Sequence, residues 1–387
     1  MLKRKQVLFV IDSLYIGGAE KSLTSLLYQL NPQKYEIHLW IRCRGGELEA
    51  LLPKDVVVIP SPYYSIMEKV LYRFSLLAFS AAFRILRYAG IKKHSAEILW
   101  KCTGWATKVP TDHYDVTIAY QQGLPTYLVT KKIHAKKRIV WDNTYLQSAG
   151  YDMSYNGRFY AKADHIVTVS QILYTLMTSC YPQYREKIHC VYDILSPSLI
   201  QQQALFENPI TETEGIIIVT VGRLEHYKQH TLAVEAARIL RDKAFSFRWY
   251  IVGEGSERPY LESLINEYGL QEHVILLGKQ LNPYPYIYRC DIYVQTSSFE
   301  GYGLSIAEAK ILERPVVSTN FDAIHDQLRH EKNGLIAEMT AESIANNIIR
   351  LIEDELLRQR IINNVKAEKN TTAETEIIKV EKLLDED

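Results

Sequence analysis

Two carboxylates eight positions apart, Glu300 and Glu308, bracket a stretch with two glycines, Glu300-Gly301-Tyr302-Gly303-Leu304-Ser305-Ile306-Ala307-Glu308. The apolar alternation over 291–296 reads as a half-buried strand, and 306–312 as the start of a helix. A strand, a glycine loop and a helix bring backbone N–H groups to a helix N-terminus, which favours phosphate or carboxylate groups. The carboxylates accept hydrogen bonds from hydroxyls. A ligand with both phosphates and hydroxyls suits this place, and a nucleotide sugar has both. The plainer alternative is that Ser305 and Glu308 form a capping box, S-x-x-E, and that Gly301 and Gly303 are turn glycines.

A second pair of residues has chemistry to offer. Arg223 and Lys228 follow the apolar run at 215–221 directly. Two fixed positive charges suit a diphosphate whose charge grows as a bond to it breaks. A surface arginine and lysine are the bland alternative. In parallel α/β sheets, ligands bind at the carboxyl ends of strands. The loops at 13–20, 222–228, 253–255, 278–285 and 297–304 therefore share one cleft if the two halves of the chain face each other.

The elements that must position these loops alternate between strand and helix, the pattern of an α/β fold with mostly parallel sheets. Strands are expected at 7–11, 35–42, 56–59, 114–120, 137–141, 165–170 and 187–192, then at 215–221, 247–252, 274–277, 291–296 and 315–319. The 7–11 strand runs into Gly17-Gly18-Ala19-Glu20 and a helix over 21–30, with Leu23, Leu26, Leu27 and Leu30 on one face. Residues 63–108 read as two amphipathic helices with Lys69, Arg73, Arg84, Arg87, Lys92, Lys93, Lys101 and Lys108 against only Glu68 and Glu97. Such a segment is either a helical layer with a solvated basic edge or a contact for an acceptor or an anionic membrane. Residues 196–214, polar and proline-containing, are expected to link two domains. The charged tail from about 371 reads as a helix.

A chain of 387 residues suggests two domains or three. Lys plus Arg equals Asp plus Glu, at 45 each, so nothing points to nucleic acid. The five cysteines include no C-x-x-C pair, which argues against zinc and a disulfide framework and for a reducing compartment. The apolar run at 7–11 is cut by Asp12, too short for a signal segment, and no stretch is long enough to span a membrane. A cytoplasmic location is expected, with the inner face of the cell membrane open as a place of contact.

Taken together, Gly222-Arg223 with Lys228, Gly253-Glu254-Gly255, and Glu300-Gly301-Tyr302-Gly303-Leu304 with Glu308 resemble the C-terminal half of retaining glycosyltransferases of family four. Gly17-Gly18-Ala19-Glu20 is similar to the G-G-x-E loop of their N-terminal domain, and the likeness covers nearly the whole chain. The resemblance implies the GT-B fold, two Rossmann-like domains facing across a cleft. It also implies that Arg223 and Lys228 grip the donor diphosphate and that Glu300 holds hydroxyls of the transferred sugar. The amides of Tyr302, Gly303 and Leu304 would support sugar and phosphate. Glu308 would hold the ribose, and Gly17 and Gly18 would close over the phosphates. Gly222 and Gly253 belong to the donor-binding loops.

The chain departs from the family in two places. Asp142 in Trp141-Asp142-Asn143-Thr144 stands where many relatives carry a histidine that contacts the donor sugar. It would act there as a catalytic-site residue, or merely cap the next helix. Tyr192-Asp193-Ile194 stands where relatives often have Tyr-Asn-Pro.

The expectation is thus an N-terminal acceptor domain over 1–195, with a helix at about 367–387 packing back on it, and a nucleotide-sugar domain over 196–366. The chain would move a hexose or N-acetylhexosamine from a UDP-sugar to an acceptor hydroxyl with retention, in cell-surface polysaccharide or glycoconjugate synthesis. It would need no metal and no cofactor beyond the donor, which is a substrate. The acceptor would be a glycan, lipid-linked species or protein, with peripheral contact to anionic membrane through 63–108. Two rival readings are a non-catalytic GT-B partner of an active enzyme and a nucleotide-sugar epimerase.

Overall fold

The computed structural model describes residues 4–386 except 92, 148, 207–209, 211–214 and 369–371. The chain divides into two compact units, one of Met1–Leu195 with Thr372–Asp387 and one of Ser196–Thr371.

The first unit is built on seven strands: β1 (Lys5–Ser13), β2 (Tyr35–Cys43), β3 (Val57–Ile59), β4 (Tyr114–Ala119), β5 (Ala135–Asp142), β6 (His165–Thr168) and β7 (Ile188–Cys190). They run parallel in the order β3-β2-β1-β4-β5-β6-β7. A parallel sheet is covered on both faces, so its inner strands read as unbroken apolar runs, and Val7 to Ile11 are fully buried. Around it lie α1 (Gly18–Gln29), α2 (Ile66–Tyr88), α3 (Ser95–Thr103), α4 (Leu124–Lys131), α5 (Met153–Tyr160) and α6 (Gln171–Cys180). The basic stretch forms two helices, α2 and α3, packed on each other. Helix α4 is absent from the sequence reading for a physical reason. Leu124 to Thr130 are all buried, so no amphipathic period marks them.

The second unit has six strands: β8 (Ile216–Val221), β9 (Phe247–Val252), β10 (Val274–Gly278), β11 (Ile292–Gln295), β12 (Val316–Thr319) and β13 (Leu335–Ala337). Their order is β10-β9-β8-β11-β12-β13, again parallel. Its helices are α7 (Pro197–Ala204), α8 (His230–Asp242), α9 (Arg258–Glu267), α10 (Tyr284–Arg289), α11 (Leu304–Ile311), α12 (Ala341–Glu353) and α13 (Glu355–Ala367). Ile218, Val234, Trp249, Leu261, Ile344 and Ile348 are among the fully buried residues of its core.

The expected linker at 196–214 needs correction over its first half, because 197–204 is helix α7. Pro197 at the first helical turn costs no hydrogen bond, and Ile200 and Ala204 are buried on a helix that packs against α10 and α11. Residues 207–209 and 211–214 of that stretch lie outside the described residues.

The tail forms α14 (Thr372–Asp385), which belongs to the first unit. Val380, Leu383 and Leu384 are buried there, and Lys5 Nζ donates to the Leu384 carbonyl at 2.8 Å. Glu376 accepts the Tyr192 amide at 2.9 Å, and Tyr35 donates to Asp385 at 3.1 Å.

Candidate functional site

In each sheet the chain reverses its direction of strand addition once, between β1 and β4 and between β8 and β11. Loops that leave neighbouring strands at such a point diverge and open a crevice at their carboxyl ends. The second unit puts its candidate residues there.

Strand β8 delivers Gly222, Arg223 and the turn His226–Lys228, and β11 delivers the loop that ends in Glu300. The two loops are sewn together by their backbones. Ser298 donates its amide to the Tyr227 carbonyl at 2.8 Å, and Thr296 Oγ1 donates to the Lys228 carbonyl at 2.8 Å. This brings Lys228 Nζ to 2.5 Å from Glu300 Oε1, with both side chains largely buried. The same oxygen accepts from Gln295 Nε2 at 3.0 Å and Ser297 Oγ at 2.7 Å. Gln295 is itself held from behind, its Oε1 accepting from Tyr293 at 2.8 Å and Ser305 at 3.2 Å. Those two donors fix which end of the amide faces Glu300. Three donors thus spend Oε1, and Oε2 is the oxygen left for other contacts.

Arg223 lies at the mouth of the same loop, where its Nη2 donates to the Tyr227 hydroxyl at 2.6 Å. Beneath it His230 is 3% exposed, and its Nε2 lies 3.1 Å from the Arg223 carbonyl. Burial pushes that imidazole down to about 4, so it is neutral at pH 7 and its Nε2–H donates to the carbonyl. His230 fixes the loop that carries both cations. Gly253 permits the close passage of two strand ends. Gly253 has φ +154°, and a Cβ on it would lie 1.9 Å from the Gly222 carbonyl oxygen.

Gly303, at φ +92°, turns the chain out of the loop that carries Glu300 and directly into α11. Gln327 Nε2 pins the turn by donating to the Tyr302 and Gly303 carbonyls, the latter at 3.1 Å. Tyr302 and Leu304 are buried, at 8% and 9% exposure. The capping-box reading of Glu308 does not hold. Gly303 is the N-cap residue, without a side-chain bond, and Ser305 turns to Gln295 instead. Glu308 is 1% exposed and accepts from the Tyr284 hydroxyl at 3.0 Å. Burial first, and the neighbouring Glu308 second, push the Tyr284 phenol far above its ordinary range, so it stays a donor.

The structure therefore brings Gly222, Arg223, Lys228, Gly253, Glu300, Tyr302, Gly303, Leu304 and Glu308 to the strand ends and helix start of one unit. Gln295, Ser297, His230, Tyr284 and Gln327 support them. None of these five stood out in the sequence, although Gln295 is a polar residue in an apolar strand and was the signal available.

The other three candidates lie in the first unit. Gly17 is the N-cap of α1, and Gly18 is its first residue, at the carboxyl end of β1. The Glu20 carboxylate folds back over Gly17, so that a Cβ there would meet Glu20 Oε2 at 2.3 Å. Gln121, from the end of β4, donates to Glu20 at 2.7 Å. Asp142 ends β5 with 1% exposure, its Oδ1 accepting from Tyr160 at 3.0 Å. Its Oδ2 has no partner among the described residues, and burial raises the carboxyl to about 7. A small cavity of about 10 Å³ lies beside it, lined by Leu146, Met153, Leu173 and Met177 among others. The reading of Asp142 as a helix cap is overturned: α5 starts eleven residues later and is capped by Asp152, which accepts the Tyr155 amide at 3.0 Å. Asp193 is buried likewise, and its carboxyl is also raised to about 7.

Residues 201–368 match the family described as glycosyl transferases group 1. This half of the chain is a group 1 glycosyl transferase domain. The chain is 30% identical over 210 residues to the N-acetylgalactosamine-N,N'-diacetylbacillosaminyl-diphospho-undecaprenol 4-alpha-N-acetylgalactosaminyltransferase of Campylobacter jejuni, covering 54% of this chain and 56% of that one. It is 31% identical over 145 residues to the poly(ribitol-phosphate) alpha-N-acetylglucosaminyltransferase of Staphylococcus aureus, covering 36% and 29%. The chain spans between about half and two thirds of the length of the first curated relatives it matches. Among solved structures, Anabaena Alr3699/HepE in complex with UDP superposes with a TM-score of 0.71 at 17% identity, covering 98% of this chain and 99% of that one. A point mutant of Staphylococcus aureus TarM, in a complex that includes UDP, superposes at 0.70 with 14% identity, covering 99% and 100%. These likenesses establish the GT-B fold, with the group 1 domain as its second unit. Among the described residues, no helix is long and apolar enough to cross a membrane.

Proposed function

We propose that this protein is a glycosyltransferase that moves a hexose or N-acetylhexosamine from a UDP-sugar to an acceptor hydroxyl, with retention and without a metal. The observation that carries the reading is the convergence of Arg223, Lys228, Glu300 and Glu308 on the switch point between β8 and β11 and the start of α11. Lys228 and Arg223 would hold the diphosphate and offset the charge it gains on departure, the part a metal plays elsewhere. Glu300 would orient sugar hydroxyls through Oε2, and Glu308 would accept from the ribose. UDP in the complexes of structural neighbours supports the choice of base. The undecaprenol-linked substrate in the name of the Campylobacter relative supports a lipid-linked glycan acceptor in surface polysaccharide synthesis.

A panel of nucleotide sugars, scored for thermal stabilisation and for release of free nucleoside diphosphate, tests this. One UDP-sugar should stabilise the protein and be slowly hydrolysed, and both effects should vanish in Lys228→Ala and Glu308→Ala. Stabilisation without turnover, with or without added acceptors, would instead favour a non-catalytic donor-binding partner. No response to any donor would remove the reading altogether.

A further inference from the structure

Helix α2 has two apolar faces, and only one is used by the protein. At 100° per residue, Tyr72, Ser75, Leu76, Phe79, Phe83 and Leu86 fall within an arc of about 100° and are buried or half-buried. Ile66, Met67, Phe74, Leu77, Ile85 and Tyr88 fall in a separate arc, also about 100° wide, and are each 63–97% exposed. An apolar stripe this continuous along 23 residues, roughly 34 Å of helix, is far from the scattered single exposures of an ordinary surface.

The charge around the stripe says what covers it. Lys69, Arg73, Arg84 and Arg87 lie along one edge of the exposed arc, and among the described residues none of them has an acidic partner in an ion pair. The two acids of the region are spent elsewhere. Glu68 is tied to Lys108 at 2.7 Å and to the Ser65 amide at 2.8 Å. Glu97 is 1% exposed and accepts from the Asp152 amide and from Asn156, both at 2.7 Å. An apolar arc with an uncompensated cationic border matches the boundary between acyl chains and anionic headgroups, where guanidinium and ammonium groups reach outward along the helix flank. A protein partner burying this face would leave the border without partners unless it supplied acids of its own.

We propose that α2 is a membrane-docking helix that lies in the plane of an anionic lipid surface with its Ile66–Phe74–Leu77–Ile85 face toward the acyl chains. Helix α3 takes no part, because its inner side is committed to the core through Ile98 and Glu97. The contact stands independently of the donor reading and requires no catalysis.

The test is co-sedimentation of the full chain with vesicles of phosphatidylcholine alone or with about 30% phosphatidylglycerol, at low and high salt. Wild type should pellet with the anionic vesicles only, and about 0.5 M salt should weaken it by screening. Arg73→Gln/Arg84→Gln/Arg87→Gln and Phe74→Ser/Leu77→Ser/Ile85→Ser should each lower binding by at least about tenfold. All six positions are solvent-facing, so these variants should keep the wild-type melting temperature and its shift by UDP. Equal binding to neutral vesicles, or none to either, would overturn the proposal. So would a wild-type dimer that becomes monomeric in the serine variant with vesicle binding unchanged, which would assign the face to a second copy. A lost UDP shift in all proteins, with vesicle binding intact, would count against the donor site alone.

Discussion

Lys228 Nζ sits 2.5 Å from Glu300 Oε1, and the same oxygen also takes hydrogen bonds from Gln295 and Ser297. The cation proposed for the diphosphate and the carboxylate proposed for the sugar are thus one electrostatic unit, buried enough that neither can be removed without stranding the other. Lys228→Ala and Glu300→Ala should each cost about 1–3 kcal/mol of folding stability, and the double variant less than their sum. A urea-denaturation double-mutant cycle measures the coupling, expected at about 1–2 kcal/mol. Strict additivity would mean that the pair is not formed in solution.

Gln295 acts on Glu300 without facing the proposed donor position. In Gln295→Leu, Glu300 loses one of its donors and Ser297 loses the group that orients its hydroxyl, so the carboxylate gains freedom. Sugar transfer or donor hydrolysis should fall about 10–100-fold in kcat, while affinity for UDP, which carries no sugar, stays within about twofold. Gln295→Glu places a second carboxylate beside Glu300 and should be worse than leucine. A matched loss of UDP affinity and turnover would reduce Gln295 to a general structural role.

The sheet of each unit was legible because buried parallel strands are unbroken apolar runs, and the motif loops were legible because glycine and charge are sparse in such runs. Helix α1, expected over 21–30 from the spacing of its leucines, is found at Gly18–Gln29. Helix α4, buried all round, and α7, polar in composition but anchored by Ile200 and Ala204, gave no such signal. At the site, Arg223, Lys228, Glu300 and Glu308 could be named from spacing. Their supports were harder to read: Gln295, on the strand that leads to Glu300, offered only its polarity in an apolar run, while Tyr284 and Gln327 come from α10 and the segment after β12 and reach the site only through the fold. Ser305 shows the limit of a local motif: its hydroxyl had a capping role available within its own helix and bonds across to Gln295 instead.

Tyr284 reaches Glu308 from α10, and this hydrogen bond fixes one carboxylate oxygen in a setting with 1% exposure. Tyr284→Phe leaves the packing in place and removes only the hydroxyl. A UDP-sugar should then bind about tenfold more weakly, with kcat little changed, because the ribose is far from the bond that breaks. A drop in kcat at unaltered affinity would move Glu308 from nucleotide binding to the chemistry.

Asp142 gives the protein a pH dependence whose sign follows from burial. Its carboxyl titrates at about 7 in the folded chain against 3.8 ordinarily, because desolvation opposes the charge more than the Tyr160 hydroxyl supports it. Between those values the folded state holds a proton that the unfolded chain has released, so stability falls as pH rises through this window. Above about pH 7 the full cost is present, on the order of 4 kcal/mol. Asp142→Asn keeps an acceptor for Tyr160 and carries no charge at any pH. It should therefore be close to wild type in stability near pH 4 and increasingly more stable than wild type toward about pH 8. Thermal unfolding of both proteins across that range reads the difference. A gap that stays constant with pH would show that Asp142 is not titrating in the folded state, and that its second oxygen has a partner that holds it charged.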